Sequence, residues 1–127
     1  MKGFDLLMSI ISLKEQVLNA SPEELTLMLY EACENNIIQG IAFLKKKQFE
    51  QANNHLQRAE KIINEFICTL NYDYEISQQL EQLYSYTYNN LVTGNIKNDF
   101  TKLNEALDII STLKDTWKQA IISSKST

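Results

Sequence analysis

Residues 49–71 read FEQANNHLQRAEKIINEFICTLN, and their spacing decides the fold class. Phe49, Ala52, Leu56, Ala59, Ile63, Phe66 and Leu70 recur at intervals of three and four, the repeat that gathers side chains on one face of an α-helix. Gln51, Asn54, Arg58 and Glu65 take the other side. So regular an apolar face is the seam of a packed helical core.

Upstream, SPEEL at residues 21–25 marks a helix start. Ser21 can cap free backbone N–H groups, Pro22 suits the first helical position, and Glu23 and Glu24 face the positive end of the helix dipole. Ser21 and Glu24 also stand at capping-box spacing. This helix is expected to run to about Lys46, with Lys45, Lys46 and Lys47 at its C-terminal end, where cations suit the dipole. Downstream, a third helix is predicted from about Glu75 to Thr93, with Ile76, Leu80, Leu83, Thr87 and Leu91 inside and Gly94-Asn95 as its left-handed stop. A fourth runs from about Asn98 to Ile122, with Phe100, Leu103, Leu107, Ile110, Trp117 and Ile121 on one face. Residues 4–18 form a short amphipathic helix, and residues 123–127 a polar tail that frays. Short connections between long helices make neighbours antiparallel. The expectation is an all-α single domain over residues 1–127: an antiparallel up-down four-helix bundle with a short additional N-terminal helix.

Composition agrees and excludes several classes. The 127 residues are 44% hydrophobic and 22% charged, with only 3 Gly and 1 Pro, which leaves little material for phosphate-cradling loops. The net charge of −4 lacks the basic footprint of a nucleic-acid binder. Cys33 and Cys68 are isolated, so neither a disulfide framework nor a zinc site is expected. No apolar run is long enough for membrane insertion. The N-terminus lacks a signal-peptide pattern because Asp5 interrupts its short apolar stretch, which makes the cytoplasm the default compartment.

Helical bundles often house di-metal carboxylate centres, built from Glu-x-x-His pairs on facing helices. The single histidine is His55, and position 52 is Ala, so that motif is absent. A hydrolytic triad would need the same lone His. The sequence therefore offers no catalytic residue, no metal ligand set and no cofactor site, and reads as a binding module.

The apolar surface exceeds what one seam needs. On α-helical spacing Leu25, Leu29, Cys33, Gly40 and Leu44 share an arc, while Leu27, Ile38 and Ala42 fall outside it. Tyr86 points away from the inner stripe of the third helix. Either the N-terminal helix and wide interfaces cover this surface, or it forms a groove for helices of another chain. The six tyrosines fit a recognition surface and equally a core with hydroxyls at its rim.

Four segments in order resemble the FliS family of flagellar export chaperones: ASPEELTLMLYEAC (20–33), RAEKIINEFICTLN (58–71), LYSYTYNNLVTGNIKND (83–99) and LKDTWKQAI (113–121). The resemblance implies a helical bundle that binds the disordered C-terminal segment of flagellin in the cytoplasm. The segment becomes helical along apolar grooves, cannot polymerise early, and is presented to the flagellar export gate, with room for a co-chaperone or regulator. Matching positions carry over Leu25, Leu29, Tyr30, Leu83, Tyr84, Tyr86, Asn95, Ile96, Lys97, Asn98, Asp99 and Trp117, of which Leu29, Leu83 and Trp117 are expected in the core. Family members often carry a Tyr near the position of Ser12 and Leu13; here Ile10, Ile11 or Leu13 takes over any contact it makes. Their turn between the second and third long helices is often Gly-rich, whereas NYDYEIS (71–77) has no Gly. The candidate partner contacts are Ile11, Leu27, Tyr30, Ile38, Tyr84, Tyr86, Asn95, Lys97 and Asn98. The alternative is a structural or regulatory bundle that self-associates through the same surface.

Overall fold

The computed structural model describes residues 21–126, all of it helix and short connections. Four helices follow one another: α1 (Pro22–Lys45), α2 (Phe49–Cys68), α3 (Ile76–Lys97) and α4 (Phe100–Ser126). Each packs on its neighbour in the chain, and α4 closes on α1. The expected helix over residues 4–18 lies outside the described residues. α4 runs on to Ser126, beyond the expected end near Ile122.

Local chemistry sets the ends. The Ser21 hydroxyl accepts the Glu24 N–H at 3.2 Å, so α1 starts where the sequence says. The Glu24 carboxylate pairs with Lys125 of α4 at 3.2 Å. At the far end Gln48 N–H bonds Phe43 C=O at 2.9 Å and Lys47 N–H bonds Leu44 C=O at 3.0 Å. This Schellman arrangement puts Lys47 at φ 60°, a left-handed position that ordinarily takes Gly. Gly94 does not end α3. The helix continues to Lys97 and the left-handed residue is Asn98, at φ 53°. Gly94 is there for space: a Cβ on it would sit 2.6 Å from Leu103 Cδ2. Asp99 then opens α4 by accepting the N–H groups of Thr101 and Lys102 at 3.1 and 3.3 Å.

The core is built from Cys33, Ile37 and Leu44 of α1, the whole central seam of α2 from Ala52 to Phe66, Tyr84 and Leu91 of α3, and Leu103, Ala106 and Ile110 of α4. Across α1 and α2, Gly40 meets Leu56, the Cys33 thiol reaches Ala59 C=O at 3.7 Å, and Tyr30 packs on Phe66. Rising positions along one helix thus meet falling positions along the other. Between α1 and α4, the half-buried Glu34 carboxylate accepts from Ser111 at 2.7 Å and pairs with Lys114 at 3.0 Å. That contact holds the Lys114 ammonium above its ordinary pKa.

Several positions differ from the periodic expectation. Phe49 is 54% exposed because it is the first residue of α2, beyond the packed length. The inner stripe of α3 keeps the expected Thr87 and Leu91 but runs through Ser77, Tyr84 and Asn90 as well, with Ser77 and Tyr84 taking the places expected of Ile76 and Leu83. Ile76 is exposed in consequence and Leu83 only half-buried. Leu29, expected inside, is 39% exposed. Its neighbour Tyr30 carries the inner face, and one residue is about 100° of rotation. Leu27, expected off the seam, is half-buried on the flank of that face.

Candidate functional site

At one end of the helical core, where α1 begins and α2 ends, all four helices line a groove of about 450 Å³. Its floor is aromatic. Tyr30 and Phe66 lie 4.6 Å apart between ring centroids, and Phe66 stacks on Tyr84 at 5.4 Å and 17°. The Tyr30 and Tyr84 hydroxyls meet at 2.5 Å. Burial raises the pKa of both phenols, with their mutual hydrogen bond a lesser influence, so both remain protonated in neutral solution. Leu70, Leu80, Leu113 and Trp117 form apolar walls, and Tyr74 and Ile76 stand on the rim at 66% and 57% exposure.

The groove exists because small polar residues occupy places that large apolar ones would fill. Thr26, Thr69, Ser77 and Thr116 all line it. Three of these turn their hydroxyls to nearby backbone: Thr26 to Pro22 C=O at 3.1 Å, Thr69 to Glu65 C=O at 2.8 Å, and Ser77 to Asn71 C=O. The α2–α3 connection is held by its own side chains, with the Asn71 carboxamide oxygen accepting the Asp73 N–H at 3.0 Å. Asn71 therefore takes the turn-forming role that a Gly-rich link would otherwise fill. Trp117 is fixed across the groove mouth by its indole N–H on Glu23 C=O, at 2.9 Å.

The candidate contacts named from the sequence do not form one site. Tyr30 and Tyr84 come together on the groove floor, 5% and 3% exposed. Ile38 is 44% exposed on α1, and Tyr86 is 52% exposed on α3 with its hydroxyl donating to Glu105 at 2.8 Å. Asn95 donates to Asn53 at 2.8 Å near the start of α2, on the order of 20 Å from Phe66 along that helix at 1.5 Å per residue. Lys97 is exposed, and Asn98 is occupied with the left-handed turn. Ile11 lies outside the described residues. The periodic reading passes over Phe66, Leu80, Tyr74, Ile76 and Leu113 as groove residues. The available signal is the run of short Thr and Ser side chains opposite aromatic ones.

Among the described residues no group of three or more His, Cys, Asp or Glu could hold a metal, and no helix is long and apolar enough to cross a membrane. Cys33 is buried and Cys68 exposed, both as free thiols. Burial, reinforced by Glu34, pushes the Cys33 thiol up to about 12, so it stays protonated and unreactive. His55 stacks on Phe43 at 5.4 Å and bonds Asn36 at 2.9 Å, a packed residue of the α1–α2 interface.

An all-helical domain with an aromatic-floored groove at one end is the class these features define. Residues 9–124 match the family model described as Flagellar protein FliS, and the chain belongs to the FliS family. It is 38% identical over 112 residues to the flagellar secretion chaperone FliS of Bacillus subtilis (strain 168), covering 88% of this chain and 84% of that protein. Proteins of the same description from Salmonella typhimurium and Vibrio cholerae are 28% and 29% identical, each over 86% of this chain and over 83% and 82% of their own lengths.

Proposed function

We propose that this chain is a cytosolic export chaperone that binds the disordered C-terminal segment of flagellin, prevents its premature polymerisation and delivers it to the flagellar export apparatus. The observation that carries the reading is the apolar groove of about 450 Å³ with an aromatic floor, in a chain whose relatives are described as flagellar secretion chaperones. On this reading the four helices form an antiparallel up-down bundle, with a short helix from residues 1–18 added to it. The reversed numbering of the α1–α2 contacts supports that arrangement. The loaded complex is what the export gate receives, and a co-chaperone has room on the surfaces the segment leaves free.

The physical logic is that of coupled folding and binding. A segment that orders on binding loses roughly 2–5 kcal/mol or more, so it needs a long apolar track to compensate. The groove, its Tyr74 and Ile76 rim, and the exposed Ile38 and Tyr86 provide apolar surface on more than one face. A wrapped segment can also leave stepwise, which suits a complex that is dismantled at export.

Isothermal titration with a flagellin C-terminal segment of about 40 residues tests this, and is expected to give one-to-one binding with a large negative heat-capacity change. Thr116→Phe places a ring in the groove from an exposed position. It is expected to weaken binding at least about tenfold while leaving the melting temperature unchanged. No binding by the unaltered protein at micromolar segment sinks the proposal. A stable dimer that buries the groove would instead favour self-association.

A further inference from the structure

A phenol carries one proton and can donate once. In the Tyr30–Tyr84 contact one hydroxyl donates and the other accepts, so this bond does not use the accepting hydroxyl's own proton. Among the described residues neither hydroxyl has another hydrogen-bond partner. Both belong to side chains that are 5% or less exposed, yet both line the groove. Three neighbouring hydroxyls, on Thr26, Thr69 and Ser77, are already committed to backbone carbonyls. Among the described residues, the aromatic floor therefore holds one buried donor left for whatever fills the groove.

We infer that the Tyr30–Tyr84 pair selects its ligand: the segment that fills the groove must set one uncharged acceptor side chain (Asn, Gln, Ser or Thr) over the two hydroxyls, among apolar neighbours. This rests on the proposed binding of the flagellin segment and adds a rule for what in that segment is recognised. The acceptor is a side chain because a helical segment uses its own backbone carbonyls internally. It is uncharged because a carboxylate would lose its hydration against an apolar wall. An occupant that displaces water from the floor without supplying an acceptor leaves the donor buried and unsatisfied, which weakens binding by about tenfold.

The test is isothermal titration of the same flagellin C-terminal segment into the unaltered protein and into Tyr30→Phe, Tyr84→Phe and the double variant. Each single variant keeps one hydroxyl whose proton is free for the ligand, so each should bind within about threefold of the unaltered protein. The double variant should lose about tenfold. That pattern separates donation to the ligand from a purely internal bond, for which the single variants would suffer most and the double would recover. Equal or tighter binding by the double variant overturns the inference, as do single variants as weak as the double. A second arm does not depend on how these variants fold. Each Asn, Gln, Ser and Thr of the segment is replaced by Leu in turn and titrated into the unaltered protein. One replacement should cost about tenfold, and uniform tolerance overturns the inference. If the unaltered protein fails to bind the segment at all, the chaperone reading itself falls and this rule falls with it.

Discussion

Gly94 offers a stringent check on the packing because two opposing effects meet there. Replacing it by Ala in the interior of α3 should add about 1 kcal/mol from helix propensity alone. The new Cβ, however, would lie 2.6 Å from Leu103 Cδ2 and 2.7 Å from Leu103 Cγ, with Asp99 C=O at 3.2 Å on another side. Leu103 is fully buried, and Cγ is the branch point of its side chain, so it cannot swing clear. The carbonyl belongs to the capping turn of α4 and is equally fixed. Overpacking of this kind costs about 1–3 kcal/mol, which exceeds the propensity gain over most of that range. Gly94→Ala should therefore destabilise by up to about 2 kcal/mol, lowering the melting temperature by up to roughly 8 °C for a domain of this size. Leu103→Ala should cost about 2–5 kcal/mol by leaving a cavity. In the double variant the methyl group introduced at position 94 enters that space, so the pair should cost at least about 1 kcal/mol less than the sum. Urea melts of the four proteins measure this. A stabilised Gly94→Ala, or strict additivity, would refute the close approach of α3 and α4.

Two further outcomes follow from local features. Lys47 holds a left-handed conformation at φ 60°, which costs an L-residue roughly 1–2 kcal/mol, so Lys47→Gly should raise stability by about 0.5–1 kcal/mol; unchanged or lower stability in a denaturant melt counts against the Schellman turn. The Cys33 thiol is raised from 9.0 to about 12 by burial. The unfolded chain therefore loses this proton first, and stability falls as pH rises from 9 towards 12, by up to about 4 kcal/mol. Urea midpoints at pH 8 and pH 10.5 should diverge less for Cys33→Ala than for the unaltered protein, and equal divergence would argue against a buried thiol at this site.

The seam of α2 is legible from periodicity because every residue from Ala52 to Phe66 on that face meets a neighbouring helix. Phe49 shows where periodicity stops being informative: a repeat cannot say where the neighbouring helices end. α3 is harder for a different reason. Its inner face carries the polar Ser77, Tyr84 and Asn90, which hydropathy counts as outward, beside the expected Thr87. Their partners admit them: Thr87 bonds Leu83 C=O at 2.8 Å and Asn90 bonds Glu105 at 3.3 Å. Gly94 reads as a stop in the sequence because a close helix approach and a helix end ask for the same residue. The groove depends on residues remote in the chain, with Tyr30 and Tyr84 separated by 54 positions. Family motifs pick out both tyrosines. Only the packing shows that they share a floor, because the concavity is made of missing volume at Thr and Ser positions.

Trp117 spans 94 positions of the chain to reach Glu23, and with Leu113 and Thr116 it supplies one wall of the groove. This places a clock on the protein's own synthesis. A nascent chain halted before Leu113 has emerged possesses the aromatic floor but no opposing wall, and its apolar residues face solvent without defining a cavity. On the proposed function, binding at the groove can begin only once Leu113 and Trp117 have left the ribosome. Truncation from the C-terminus should therefore abolish binding abruptly as the wall is lost, well before the remaining helices lose their individual helicity.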